Sequence, residues 1–66
     1  MELAAVVIRN GEGVEVANLT LPCVWNQIES REEVSRLQES IERRCSTEII
    51  LISIDSCRRT IRVYCR

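Results

Sequence analysis

The sequence contains no lysine, no histidine and no phenylalanine, and its only aspartate is Asp55. Without histidine or lysine, the side chains that most often act as general base or amine nucleophile are missing. No glycine-rich loop is present that could cradle a phosphate. The sequence therefore predicts a protein that is not an enzyme and that needs no cofactor.

Long hydrophobic runs are also missing. The run at residues 49–54 is interrupted by Ser53, and no apolar run approaches the roughly 20 residues that cross a bilayer. Glu2 stands where a secretory signal would carry basic residues. These features predict a cytoplasmic protein with no membrane span.

The four cysteines are Cys23, Cys45, Cys57 and Cys65, and none forms the closely spaced pair that is typical of a zinc site. Their even number allows disulfides, and a four-thiolate site could still assemble in space. Because no export signal is evident, we expect reduced thiols that pack as small apolar side chains and bind no metal.

The chain has 66 residues, enough for one domain with a small core, and 45% of them are apolar, which is typical of a folded protein. Residues 3–9 and 14–20 alternate as strands around Asn10-Gly11, a pair that favours a two-residue hairpin turn. That turn would place Val7 opposite Val14. Residues 23–28 could add a short third strand, in which Trp25 either covers the core or serves as an apolar anchor for a partner.

A capping box at Ser30 and Glu33 predicts a helix over about residues 31–45. Its apolar stripe is narrow. Residues 48–55 and 60–65 form a second hairpin, and a four-residue loop at 56–59 aligns Ile54 with Ile61 and Ile52 with Val63. Ile52 is expected at the centre of the core.

The predicted fold is a single small α+β domain over residues 1–66. Two hairpins form an antiparallel sheet, with one helix packed on one face, in the order ββ(β)αββ. The strand at 48–55 is apolar on both sides, which exceeds what one helix can cover. The second side must be covered by the Trp25 segment, by a second copy or by another protein, so we expect a homodimer or a tight partner complex.

Charge is unevenly distributed along the chain. Residues 1–42 carry 8 Glu against 3 Arg, and residues 43–66 carry 6 Arg against one Glu and one Asp. Arginine favours planar, bidentate recognition of carboxylate or phosphate. The C-terminal arginines could therefore form a binding patch, or simply a solvated surface paired with the acids of the helix.

Several features resemble the HicB-type antitoxin domain. They are Val6-Val7-Ile8, Gly13, the corner Leu21-Pro22-Cys23 and the helix start Ser30-Arg31-Glu32-Glu33-Val34. The resemblance covers about residues 6–42. It implies a degraded ribonuclease H-like sheet that neutralises a small toxin by binding it, without catalysis of its own.

These observations predict a small non-enzymatic protein that acts by occupying a macromolecular partner, as an inhibitor, an antitoxin or a phage-type counter-defence protein does. A protein partner is expected, contacted by Arg58, Arg59, Arg62 and Trp25. Two alternatives are a nucleic-acid-binding module that uses the C-terminal arginines, and a dimer that sequesters a small ligand.

Overall fold

The computed structural model describes residues 2–66. Four strands and one α-helix follow one another in the order ββαββ, which confirms the small α+β domain. The strands are β1 (Leu3–Arg9), β2 (Glu15–Pro22), β3 (Ile49–Asp55) and β4 (Thr60–Cys65), and the helix is α1 (Arg31–Glu42).

The sheet is mixed rather than purely antiparallel. Its strand order is β2-β1-β4-β3, and the two central strands, β1 and β4, run parallel. The helix causes this arrangement, because it carries the chain back along the sheet between β2 and β3, which then run in the same direction. Each hairpin is antiparallel within itself, so the strands that meet at the centre must be parallel.

The start of α1 agrees with one half of the predicted capping box. The Ser30 Oγ accepts a hydrogen bond from the Glu33 N–H at 3.2 Å. The reciprocal bond of a capping box, from the Ser30 N–H to the Glu33 carboxylate, does not form. The Ser30 N–H donates to the Gln27 carbonyl instead, and the Glu33 carboxylate accepts from the Val24 N–H. The helix also ends at Glu42 instead of residue 45, in a turn that directs Cys45 towards β4.

The first hairpin has a longer loop than the two residues predicted, and β2 begins at Glu15. Asn10 organises this loop, since its Oδ1 accepts from the N–H groups of Glu12 and Val14. Gly13 adopts a φ of +81°, which only glycine takes without strain. The register therefore differs from the prediction: Val7 lies opposite Asn18.

The second hairpin has the predicted four-residue loop, and the alignment of Ile54 with Ile61 and of Ile52 with Val63 is confirmed. Only one residue of this loop, Arg59, has a positive φ, at 54°. The alignment fails at the start of β3, where the register shifts between Ile49 and Leu51. Ile50 occupies this bulge and is 61% exposed.

Residues 23–28 form no strand. They contain a 3₁₀ helix (Trp25–Gln27), in which the Gln27 N–H donates to the Val24 carbonyl. The Trp25 ring is buried, and its Nε1 donates to the Leu3 carbonyl at 2.9 Å. Trp25 thus covers the end of the core at which β1 begins, which agrees with the first of its two predicted roles.

The core lies between α1 and the two central strands. One helix is about 10 Å across and therefore covers only about two strands of a four-stranded sheet. β1 and β4 alternate strictly between buried and accessible side chains, whereas β3 has no fully buried residue. The fully buried side chains in this layer include Val6, Ile8, Ile41, Ile61 and Val63. Val6 and Ile8 therefore face the helix.

A disulfide joins Cys45, just beyond α1, to Cys65 at the end of β4, with a Cα–Cα distance of 6.3 Å. The expectation of reduced thiols is wrong for this pair. Cys23 and Cys57 are free, the first buried and the second exposed. The disulfide fixes the C-terminal end of the helix to a central strand.

We predict that Ile61→Ala will destabilise the protein by about 2–5 kcal/mol, because it opens a cavity at a site with no solvent exposure. Ile52→Ala should cost less, since Ile52 is only half buried on the edge strand and is not the centre of the core. Urea unfolding followed by circular dichroism measures both variants. An equal loss in the two would contradict this placement of the core.

Cys45→Ser should lower the free energy of unfolding by about 3 kcal/mol under oxidising conditions, because it releases a cross-link between residues 20 positions apart. The matched control is Cys57→Ser, which removes an exposed free thiol and should change stability little. In a reducing buffer, the difference between the parent and Cys45→Ser should largely disappear. A parent protein whose stability is insensitive to reductant would refute the structural role of this bond.

Candidate binding surface

The face of the sheet opposite α1, here called the open face, is covered by no other element among residues 2–66. On β4 it carries Thr60, Arg62 and Tyr64, because Ile61 and Val63 point into the core. All three open-face side chains are half buried by their neighbours. The open face is therefore a surface of mixed polar and apolar character.

Two arginines stand on the central strands of the open face. Arg62 lies beside Val7 of β1 and opposite Ser53 of β3, and Arg9 lies beside Tyr64. The Nη1 of Arg9 donates to the Gly13 carbonyl at 3.1 Å. Arg62 makes no ion pair within 4 Å among the described residues, so its guanidinium is available to an external acceptor.

Arg58 occupies the tip of the second hairpin. Its side chain is 77% exposed, and its Nε lies 4.0 Å from Asp55 Oδ2. Its backbone N–H donates to Asp55 Oδ1 at 3.1 Å, which stabilises the loop without using the guanidinium. An exposed pair at this distance contributes little to stability. Arg58 thus retains its capacity to bind a partner.

Arg59 and Trp25, two of the predicted contact residues, are brought together by the fold. The Arg59 guanidinium lies 5.4 Å from the centre of the Trp25 ring, within the range of a cation–π interaction. Its Nη1 also donates to Glu2 Oε1 at 2.6 Å, and this bond is the main reason that the pKa of Glu2 is lowered. Arg59 therefore has a structural role at the loop, in addition to the partner contact that the sequence predicted for it.

Glu33 is the buried acid among residues 2–66, and the sequence assigned it to the helix cap. Its Oε2 accepts from the Val24 N–H and from Arg36 Nη2, both at 2.6 Å, and its Oε1 accepts from Arg36 Nε at 3.1 Å. Arg36 Nη2 also donates to the Pro22 carbonyl at 2.8 Å. This pair of side chains therefore ties the end of β2 and the following turn to the first turns of α1.

These contacts set the protonation of two buried groups. The hydrogen bonds from Arg36, and then the bond from the Val24 N–H, lower the pKa of Glu33. Burial, and then the negative charge of Glu33, raise the pKa of the Cys23 thiol. Cys23 thus stays protonated at neutral pH, which makes it a weak nucleophile.

Across residues 2–66, no three side chains of the metal-binding types come together. Within the same part of the chain, no helix is long and apolar enough to cross a membrane. Comparison with known proteins found no family model that matches the chain, no similar curated protein and no similar solved structure. The resemblance to HicB-type domains stays a prediction.

The sequence missed two features of this surface. Arg9 joins Arg62 on the open face only because β1 and β4 are parallel neighbours, a pairing that the sequence did not reveal. The contacts of Glu33 were hidden by its place in a capping box. The sequence contained one signal of the Glu33 contacts. Arg36 follows Glu33 by three residues, a spacing at which side chains on a helix meet.

We predict that Glu33→Gln will lower the free energy of unfolding at pH 7 by about 1–3 kcal/mol, because the replacement amide cannot accept every bond that the carboxylate accepts. The pKa of Glu33 is lowered in the folded state, so its stabilisation is fully present above its ordinary pKa of 4.5 and is lost as the pH falls through the folded value. The gap between variant and parent should therefore narrow in acid.

The matched control is Glu32→Gln, which makes the same change at an exposed position one residue earlier. Thermal unfolding from pH 7 down to pH 2 measures all three proteins. If Glu33→Gln and Glu32→Gln behave alike, the bonds of Glu33 do not stabilise the fold.

Proposed function

We propose that this protein is a small, non-enzymatic binding protein that acts by occupying a macromolecular partner, as an inhibitor, an antitoxin or a phage-type counter-defence protein does. The contact surface is the open face around Arg62 together with the hairpin tip at Arg58. The observation that carries the proposal is that Arg62 stands on a central strand of an uncovered sheet face without an ion pair among residues 2–66.

The environment of Arg62 suits recognition of a protein. Arg62 is half buried on a central strand, so part of the entropy cost of fixing the side chain is already met by the fold. Val7 and Tyr64 provide apolar and aromatic surface nearby, and aromatic and arginine side chains are enriched at interface hot spots. A carboxylate on the partner would be a bidentate acceptor for the guanidinium.

The four predicted contact residues divide into two groups. Arg58 and Arg62 are available to a partner. The Arg59 guanidinium stacks on the Trp25 ring and donates a hydrogen bond to Glu2. We therefore expect Arg59 and Trp25 to contribute to partner binding by fixing the shape of the hairpin tip. The homodimer predicted from the sequence belongs to the same proposal, and its surface is derived in the next subsection.

Nucleic acid is the second candidate partner, because Arg9, Arg62 and Tyr64 lie on one face of adjacent strands. Arginines can contact phosphates and an aromatic ring can stack on a base. A protein partner is favoured, since a phosphate backbone that crosses the face would meet Asp55 and Glu15 on the two edge strands, whereas a single carboxylate at Arg62 would avoid both. We also propose that the protein lies in the cytoplasm. In that compartment the Cys45–Cys65 disulfide would be exposed to reduction.

The test compares two double variants that each remove two exposed or half-exposed arginines. The site variant is Arg58→Ala with Arg62→Ala, and the matched control is Arg43→Ala with Arg44→Ala at the end of the helix. Each immobilised protein is incubated with cell extract, with and without nuclease treatment, and the retained protein is then purified for affinity measurement. We expect the site variant to bind at least about 30-fold more weakly, since a paired, desolvated arginine contributes about 2–5 kcal/mol, and the control to bind like the parent.

Circular dichroism confirms that both variants are folded. Equal binding by the site variant and the parent would refute the open face as the contact surface. Retention that is abolished by nuclease, with an affinity that falls steeply as salt rises, would instead assign the surface to nucleic acid.

A further inference from the structure

The two edges of the sheet differ in chemistry. The edge strand β2 begins at Glu15, ends at Pro22 and carries Asn18 and Thr20 on its exposed side. Charged and proline residues are the usual devices by which proteins prevent edge strands from pairing. β3, at the other edge, has no proline and no glycine, and it carries no charge before its last residue, Asp55.

Apolar side chains remain accessible along β3. Leu51 is 54% exposed and Ile54 is 38% exposed. A narrow groove runs between the helix and this edge, with Val34 and Leu37 on its helical side and Ile52 and Ile54 on its sheet side. Because α1 does not extend over β3, the groove has no cover on its outer side among residues 2–66.

Unpaired backbone groups on a strand edge are satisfied most completely by another strand. Beyond the bulge at Ile50, residues 51–55 form a regular stretch that can pair with an identical antiparallel stretch. A two-fold axis at Ser53 would place Ile52 opposite the second copy's Ile54, both on the helix side of the sheet. Ile52 and Ile54 then meet on the helix side, where no charge faces the groove, while Leu51 lies opposite the second copy's Asp55 on the open face.

We infer that β3 pairs with β3 of a second copy of this chain, antiparallel and centred on Ser53, to form a continuous eight-stranded sheet. The interface is two-fold symmetric, so each copy uses its apolar edge once and the assembly closes as a dimer. The remaining edges are the two β2 strands, which carry Glu15 and Pro22. This inference deepens the homodimer part of the proposed function by naming its surface.

Charge at the two ends of β3 supports the pairing. In this register Glu48, just before β3, lies at the level of the second copy's 56–59 loop, which carries Arg58. Glu48 and Arg58 are both strongly exposed, and their contacts within one copy are long, at 3.7 Å to Arg66 and 4.0 Å to Asp55. Symmetry repeats this complementary contact at both ends of the interface. Two open faces would then lie side by side.

The first test measures oligomeric state by analytical ultracentrifugation over a wide range of concentration. We expect a monomer–dimer equilibrium for the parent. Leu51→Glu should weaken association at least about tenfold, because its carboxylate would face the second copy's Asp55 and like charges opposed across an interface are costly. The matched control is Val16→Glu on the β2 edge, where the replaced valine is 57% exposed, and it should dimerise like the parent.

The second test does not depend on a disruptive variant. Ser53→Cys in a Cys57→Ser background places a thiol on the proposed two-fold axis, opposite its own copy. Mild oxidation should yield a covalent dimer. Thr20→Cys in the same background is the control, since Thr20 is an exposed hydroxyl residue on the other edge strand, and it should remain uncross-linked.

A parent that stays monomeric at every concentration would overturn the inference, as would cross-linking through Thr20→Cys in place of Ser53→Cys. Equal loss of the dimer in Leu51→Glu and Val16→Glu would also overturn it. Failure here is distinguishable from failure of the proposed contact surface, because a monomer that still binds its partner through Arg62 refutes only the pairing of β3.

Discussion

The structure depends on one geometric constraint: a single helix of 12 residues must cover a sheet of four strands. Its width is enough for the central pair, and the side chains of β1 and β4 that face it are accordingly buried. The β2 side receives further apolar contacts from the turn that carries Trp25 and Ile28, which belong to the same buried cluster. β3 receives the least cover. The edge at β3 therefore keeps accessible apolar side chains, because one helix is too narrow to cover it.

The helix is held at both ends by different chemistry. At its start, the Glu33–Arg36 pair binds the Val24 N–H and the Pro22 carbonyl, and Trp25 closes the core beside it. At its far end, Cys45 is bonded to Cys65 on a central strand. In a small domain, where the hydrophobic core alone supplies little stability, such anchors keep one helix aligned over the sheet. The second anchor responds to redox conditions, and the first responds to strong acid.

The arginines of the C-terminal half differ in role although they look alike in sequence. Arg59 stacks on Trp25 and pairs with Glu2, so its charge is used within the fold. Arg62 stands on the open face, and Arg58 projects from the hairpin tip. A dimer formed through β3 would double the open face without covering Arg62. The proposed partner surface and the proposed dimer edge share only Arg58, because the first otherwise uses a face of the sheet and the second uses its rim.

Local pattern in the sequence determined the number and order of the elements, the start of the helix at Ser30, the four-residue loop of the second hairpin and the alternation of β4. These features depend on contacts between residues close in the chain, which period and turn chemistry encode. Only the tertiary structure decided the parallel pairing of β1 with β4, the disulfide between Cys45 and Cys65 and the contact of Arg59 with Trp25. Each of these joins distant residues, and a period-two or helical pattern contains no information on which strands become neighbours. The open face and the β3 edge depend on that choice of neighbours, which is why the residues of the candidate site could be named from the sequence but their separate roles could not.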